Sequence, residues 1–172
     1  MPLFLRYVLV FFSNLWLRSF EQRTRISATD WLEEVAPDEP SWRTEDTVRI
    51  ASILAAHGVD LLDVSTGGGD HRQNVKSGHQ YQVPFSAAVK KEVGSNLLVG
   101  AVGGLYSGIS AQDVLETDRA DVIFVGRQFQ KILGQVWAMA EELGVEIHVA
   151  HQIEWGFSGR GQKGVGGKKS SL

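Results

Sequence analysis

Ala120-Asp-Val-Ile-Phe-Val-Gly-Arg127 is the stretch on which the fold turns. A short apolar run rich in β-branched residues ends at once on a glycine and an arginine. The segment that follows has apolar residues at helical spacing. Such a run, too short for a helix and bounded by glycine, reads as a buried strand feeding directly into a helix. The spacing predicts a long helix from Arg127 to Glu142, stopped by Gly144.

Working back from this stretch, the same unit recurs. Asn96 to Val102 reads as a strand with Gly103-Gly-Leu-Tyr-Ser-Gly108 as its loop, and Ser110-Ala-Gln-Asp113 as a capping-box start to a helix running through Leu115. Pro84 to Val93 reads as a helix closed by Gly94. Val59 to Ser65 is an apolar run ending in polar residues, after a helix capped at Thr44. That helix is expected to line one face with Thr47, Ile50, Leu54 and His57 and to stop at Gly58. Residues 29–44 are acidic, carry two prolines and read as a loop. Strands alternating with helices imply an α/β protein with a parallel sheet and right-handed crossovers.

The chain of 172 residues is long enough for one sizeable core. Its 43% apolar and 22% charged residues are those of a soluble globular protein. A formal net charge of -3 gives no electrostatic reason to expect nucleic acid as a partner. With no cysteine, disulfides, thiolate metal sites and cysteine nucleophiles are excluded, and no metal site is expected. The apolar run Tyr7–Phe12 follows Arg6 as a signal-peptide core would, but no small-residue cleavage site follows it. It is also too short to span a bilayer, so no membrane anchor and a cytoplasmic location are expected. Residues 158–172, rich in glycine, lysine and serine, are expected to be disordered because they hold too little apolar surface to offset their chain entropy.

In parallel β/α folds, ligands bind beyond the carboxyl ends of the strands. Val102-Gly-Gly104 and Val125-Gly-Arg127 occupy two such ends in succession. Glycine there exposes backbone N–H groups, and an adjacent arginine offers a permanently charged fork for phosphate oxygens. A tight turn, with Arg127 paired to a surface carboxylate, accounts equally well for the spacing.

The words Gly58-Val-Asp-Leu-Leu-Asp-Val-Ser65, Tyr81-Gln-Val-Pro-Phe85, Gly100-Ala-Val-Gly103 and Ala120-Asp-Val-Ile-Phe-Val-Gly-Arg127 resemble the Old Yellow Enzyme family of FMN-dependent NADPH dehydrogenases. They cover roughly residues 44–157. The resemblance implies a partial (β/α)8 TIM barrel, about its last four β/α units, with FMN bound at the C-terminal face and NADPH as reductant. It implies that Gly126 and Arg127 bind the FMN phosphate, and that Val102 and Gly103 lend it backbone. The family's flavin-facing arginine lies in a phrase that is split here between Pro2-Leu-Phe-Leu-Arg6 and Arg25-Ile-Ser-Ala28. Residues 7 to about 24 therefore look inserted, and either Arg6 or Arg25 inherits the flavin contact, with Arg25 favoured. The chain is thus divided into 1–25, a split strand with an insert; 26–157, the C-terminal half of the barrel; and 158–172, the tail.

The resemblance also implies that the family's first barrel half, with its carbonyl-gripping histidines and its tyrosine proton donor, is not in this sequence. His71, His79, His148 and His151 lie outside those motifs and read as surface residues. Trp155 stands where relatives place an arginine that reaches a neighbouring subunit. The expectation is an ene-reductase-type oxidoreductase fragment, inactive alone. The alternative is a non-enzymatic FMN or phosphate binder, or a half barrel that self-associates through its open edges.

Overall fold

The structure, a computed structural model, describes residues 22–158. Four strands form one sheet: β1 (Arg23–Ser27), β2 (Leu61–Ser65), β3 (Leu98–Val102) and β4 (Val122–Phe124). All three pairings are parallel and the spatial order is the chain order, β1-β2-β3-β4. Helix α1 (Thr44–Ala56) joins β1 to β2, α2 (Val83–Val93) joins β2 to β3, and α3 (Gly108–Glu116) joins β3 to β4. After β4 come α4 (Arg127–Lys131), α5 (Gln135–Glu142) and α6 (Trp155–Ser158). Right-handed crossovers that always step the same way place the three crossover helices on one face. A doubly wound sheet would reverse its order at some point. This one does not, so it has the winding of a partial β/α barrel.

Side-chain alternation sorts the two faces. Leu62, Val64 and Val99 pack against Ala51 of α1 and against Val89 and Val93 of α2. Ala101 and Ile123 pack with Ala111, Val114 and Leu115 of α3. The alternate positions Arg25, Asp63, Gly100 and Val122 lie in register on the opposite face. Gly100 has no side chain there because a Cβ would strike the ring of Phe124.

The helix stops at Gly58, Gly94 and Gly144 hold, each with positive φ (83°, 57° and 63°). Three expectations are corrected. Helix α3 starts earlier, because Ser107 is its cap and accepts a hydrogen bond from the Ser110 N–H at 3.2 Å. His57 is exposed beyond the end of α1, whose buried residues are Thr47 and Ala51. The helix predicted from Arg127 to Glu142 is broken, with Ile132 extended and Gly134 capping a new helix. Glycine disfavours a helix interior by about 1 kcal/mol, and the exposed Leu133 beside it has no packing to offset that cost. Arg23 and Thr24, at the end of the segment expected to be inserted, pair with Leu61 and Leu62. The rest of that segment, Arg6 and the tail beyond Ser158 lie outside the described residues. No helix among the described residues is long and apolar enough to cross a membrane.

The amino end of the sheet is closed by a buried cation. The Lys90 amine donates to the Gly94 carbonyl at 2.8 Å and to Asp121 Oδ1 at 2.8 Å, while Asp121 Oδ2 accepts from the Val99 N–H at 2.9 Å. Lys90 is 7% exposed. Replacing it with alanine leaves the Asp121 carboxylate without its cation, a loss expected to cost about 3 kcal/mol. Urea denaturation of Lys90→Ala should show the midpoint falling accordingly, with the chemistry at the other end of the sheet untouched.

Candidate functional site at the carboxyl ends of the last two strands

A cleft of about 230 Å³ opens between the ends of β3 and β4. Val102, Gly103 and Gly104 line one side, and Val125, Gly126 and Arg127 line the other. Tyr81 and Gln82 form its floor. The fold brings the two glycine-bearing turns together because β3 and β4 are neighbours, with Val102 opposite Phe124.

Gly103 and Gly104 have φ of 93° and 71°, which only glycine adopts freely. Their second reason is contact. A Cβ on Gly103 would lie 2.8 Å from Gln82 Nε2 and 2.9 Å from the Tyr81 ring. A Cβ on Gly104 would strike the Gly78 carbonyl and lie 2.7 Å from the Gln80 nitrogen. The Gln80 N–H in turn donates to the Gly104 carbonyl at 3.2 Å. The Tyr81-Gln-Val-Pro-Phe word is therefore the segment that presses the β3 turn into shape. Gln82 is 4% exposed. Its Nε2 donates to Tyr81 Oη at 2.5 Å, and its Oε1 is buried without a partner.

Gly126 is different. Nothing lies within 4 Å of where its Cβ would stand, and its backbone (φ -102°, ψ -86°) lies outside the regular helix and strand regions. Among the described residues no side chain crowds this glycine, and both its irregular backbone and the open space beside it are compatible with the choice of glycine. Arg127 is exposed, and among the described residues its guanidinium has no hydrogen bond or ion pair. The carboxylate that the tight-turn reading supplies for it is therefore missing among those residues. The break after α4 leaves a short extra helix directly after the strand, as in barrels that bind phosphate at this place. Two contacts fix the surroundings. Gln135 Nε2 donates to the Tyr106 carbonyl at 2.9 Å, and Glu142 Oε2 accepts from the Gly108 N–H at 2.5 Å. The sequence offered no sign of Gln135 or Glu142, whose roles depend on partners in other elements, and it flagged Gln82 only as part of the Tyr81–Phe85 word, not for its place in the cleft.

Arg25 lies on β1, three strands from Gly126, which is about 14 Å at normal strand spacing. Its Nε and Nη2 each meet Asp63 Oδ2 at 2.5 Å. Burial pushes the Asp63 carboxyl above its ordinary pKa, and the Arg25 hydrogen bond and charge oppose that rise. His71, His79, His148 and His151 are exposed.

The cleft is large enough for a phosphate-sized group. It is smaller than the roughly 300–1,000 Å³ of a site that encloses a whole drug-sized ligand. An exposed unpaired guanidinium and an open glycine fit such a group, whereas the orphaned Gln82 Oε1 is an acceptor and would need a donor from a ligand or water.

No family model matches the chain. A Gibberella zeae protein named NADH:flavin oxidoreductase is 49% identical over 146 residues, covering 81% of this chain and 35% of that protein. A Geobacillus thermodenitrificans NADPH dehydrogenase is 39% identical over 134 residues, with 77% and 36% covered. A Bacillus subtilis NADPH dehydrogenase is 31% identical over 134 residues, with 77% and 37% covered. The chain thus spans about a third of the length of the curated relatives it matches. A solved structure of DHODH from Eimeria tenella in complex with ferulenol overlays at a TM-score of 0.45 and 16% identity, covering 72% of this chain and 35% of that chain.

If the open space at Gly126 is there for an anion, Gly126→Ala narrows it with the smallest side chain. The expected outcome is loss of phosphate-dependent stabilisation in a thermal-shift titration, measured against the variant's own midpoint without phosphate.

Proposed function

We propose that this chain, a homologue of about a third of a flavin oxidoreductase of the Old Yellow Enzyme family, carries the phosphate end of an FMN site belonging to an NAD(P)H oxidoreductase of the ene-reductase type. The observation that carries the reading is the cleft between β3 and β4, where Gly126 leaves open space beside the unpartnered Arg127. The backbone at Val102, Gly103 and Gly126 would approach the phosphate closely because no Cβ intervenes at the two glycines. Arg127 would supply the planar fork that matches two phosphate oxygens. The ring of the cofactor would lie outside this small cleft, toward β1. The pairing of β1 with β2 favours Arg25 over Arg6 as the cation beside it. When bound, FMN supplies hydride transfer from NADPH to an activated alkene. The residues of this chain bind and orient it.

A second reading, binding of FMN or phosphate without turnover, has support in the same observation. The Arg127 guanidinium and the backbone of the two glycine turns are suited to holding an anion. Self-association belongs to this reading too, since β1 and β4 each have one edge without a strand partner among the described residues. Flavin absorbance on the purified chain, followed by an assay of NADPH consumption with an enone, separates the two readings. Colour with turnover supports the oxidoreductase, and colour without it supports the binder.

Arg127→Ala should weaken FMN binding about 10- to 100-fold, the loss expected for a charge-assisted pair. Riboflavin, which has no phosphate, should bind the variant and the parent alike. Equal FMN affinity in both proteins, measured by flavin fluorescence quenching, would remove Arg127 from the phosphate site.

A further inference from the structure

We infer that Asp63 is a positioning residue that sets the direction of the Arg25 guanidinium on the open face of the sheet. This rests on the reading of Arg25 as the flavin-facing cation. The register places Arg25 directly beside Asp63, and Asp63 directly beside Gly100. One carboxylate oxygen, Oδ2, takes both Nε and Nη2 of Arg25. Holding the guanidinium by that edge fixes its plane and leaves Nη1 for another acceptor. The two partners differ sharply in exposure: the Arg25 side chain is 63% exposed and that of Asp63 is 10%. The anchor is buried and the group it aims is open to a ligand.

A second observation separates this role from simple cross-strand glue. Asp63 Oδ1 is buried with no hydrogen-bond partner. A carboxylate kept only for stability would be expected to use both oxygens, since an unsatisfied buried acceptor is costly. Burial is also the leading influence on the Asp63 carboxyl, raising its pKa against the pull of Arg25. A raised pKa means that the folded state disfavours the charge relative to the unfolded chain. Stability from this group therefore falls as pH rises through the folded pKa, and a neutral isostere removes that loss. Asp63 is thus a residue whose charge works against the fold and in favour of its neighbour's direction.

The test uses the full chain and its Asp63→Asn variant, with riboflavin and FMN as probes and Arg127→Ala as the control. Asp63→Asn should keep or raise the thermal midpoint. It should weaken riboflavin and FMN binding equally, by about tenfold, the effect of one displaced charge-assisted contact. Arg127→Ala should weaken FMN alone. If Asp63→Asn binds both flavins as the parent does, the inference fails while the functional reading stands. If the variant melts earlier or does not fold, Asp63 is a structural ion-pair residue and the inference fails. If the parent chain binds neither flavin, the functional reading itself is overturned, and this inference with it.

Discussion

Everything in this chain depends on a winding that never reverses. Each right-handed crossover adds the next strand on the same side of the last, so the strand order equals the chain order. That single constraint gives the sheet one helix-covered face and one open face. It also lines up all the carboxyl ends along one rim, where the glycine turns after β3 and β4 become neighbours. The Gly126-Arg127 pair acquires chemical meaning only through this adjacency, because a lone glycine turn encloses nothing.

The two rims of the sheet are built to different standards of polar satisfaction. At the amino rim, the buried Lys90 reaches Gly94 and Asp121, and Asp121 in turn takes the Val99 N–H. At the carboxyl rim and on the open face the arrangement differs. The buried side-chain atoms without partners among the described residues are Trp31 Nε1, Ser41 Oγ, Asp63 Oδ1, Thr66 Oγ1 and Gln82 Oε1. All but Asp63 belong to segments that follow a strand and precede a helix, and Asp63 looks out from the open face. Such orphaned atoms are costly in a structure that serves only stability. Their concentration on one side matches the division in barrels between a stabilising amino face and a functional carboxyl face.

The strands and the helix stops were legible because they are local. A short β-branched run bounded by glycine has few other structures open to it, and Gly58, Gly94 and Gly144 sit where positive φ is needed. Ser107 and Ser110 are both plausible caps by residue type, and only the backbone geometry chooses between them. The break at Ile132–Gly134 was hidden by a sequence whose apolar spacing continues through it. The roles of Gln82, Gln135 and Glu142 were illegible for a different reason. Gln135 and Glu142 find their partners 29 and 34 residues away, and Gln82 takes its place from the packing of Gly103. The Arg25–Asp63 pair depends on strand register, which no local pattern in β1 reveals.

The central claim is that the turns after β3 and β4 together hold the phosphate of FMN. The most direct measurement is a ¹⁵N–¹H NMR titration of the chain with FMN, followed residue by residue. The account predicts saturable shifts concentrated at the amides of Gly103, Gly104, Gly126 and Arg127, with riboflavin leaving the Gly126 and Arg127 amides in place. Saturable FMN binding that leaves those four amides unmoved would contradict it.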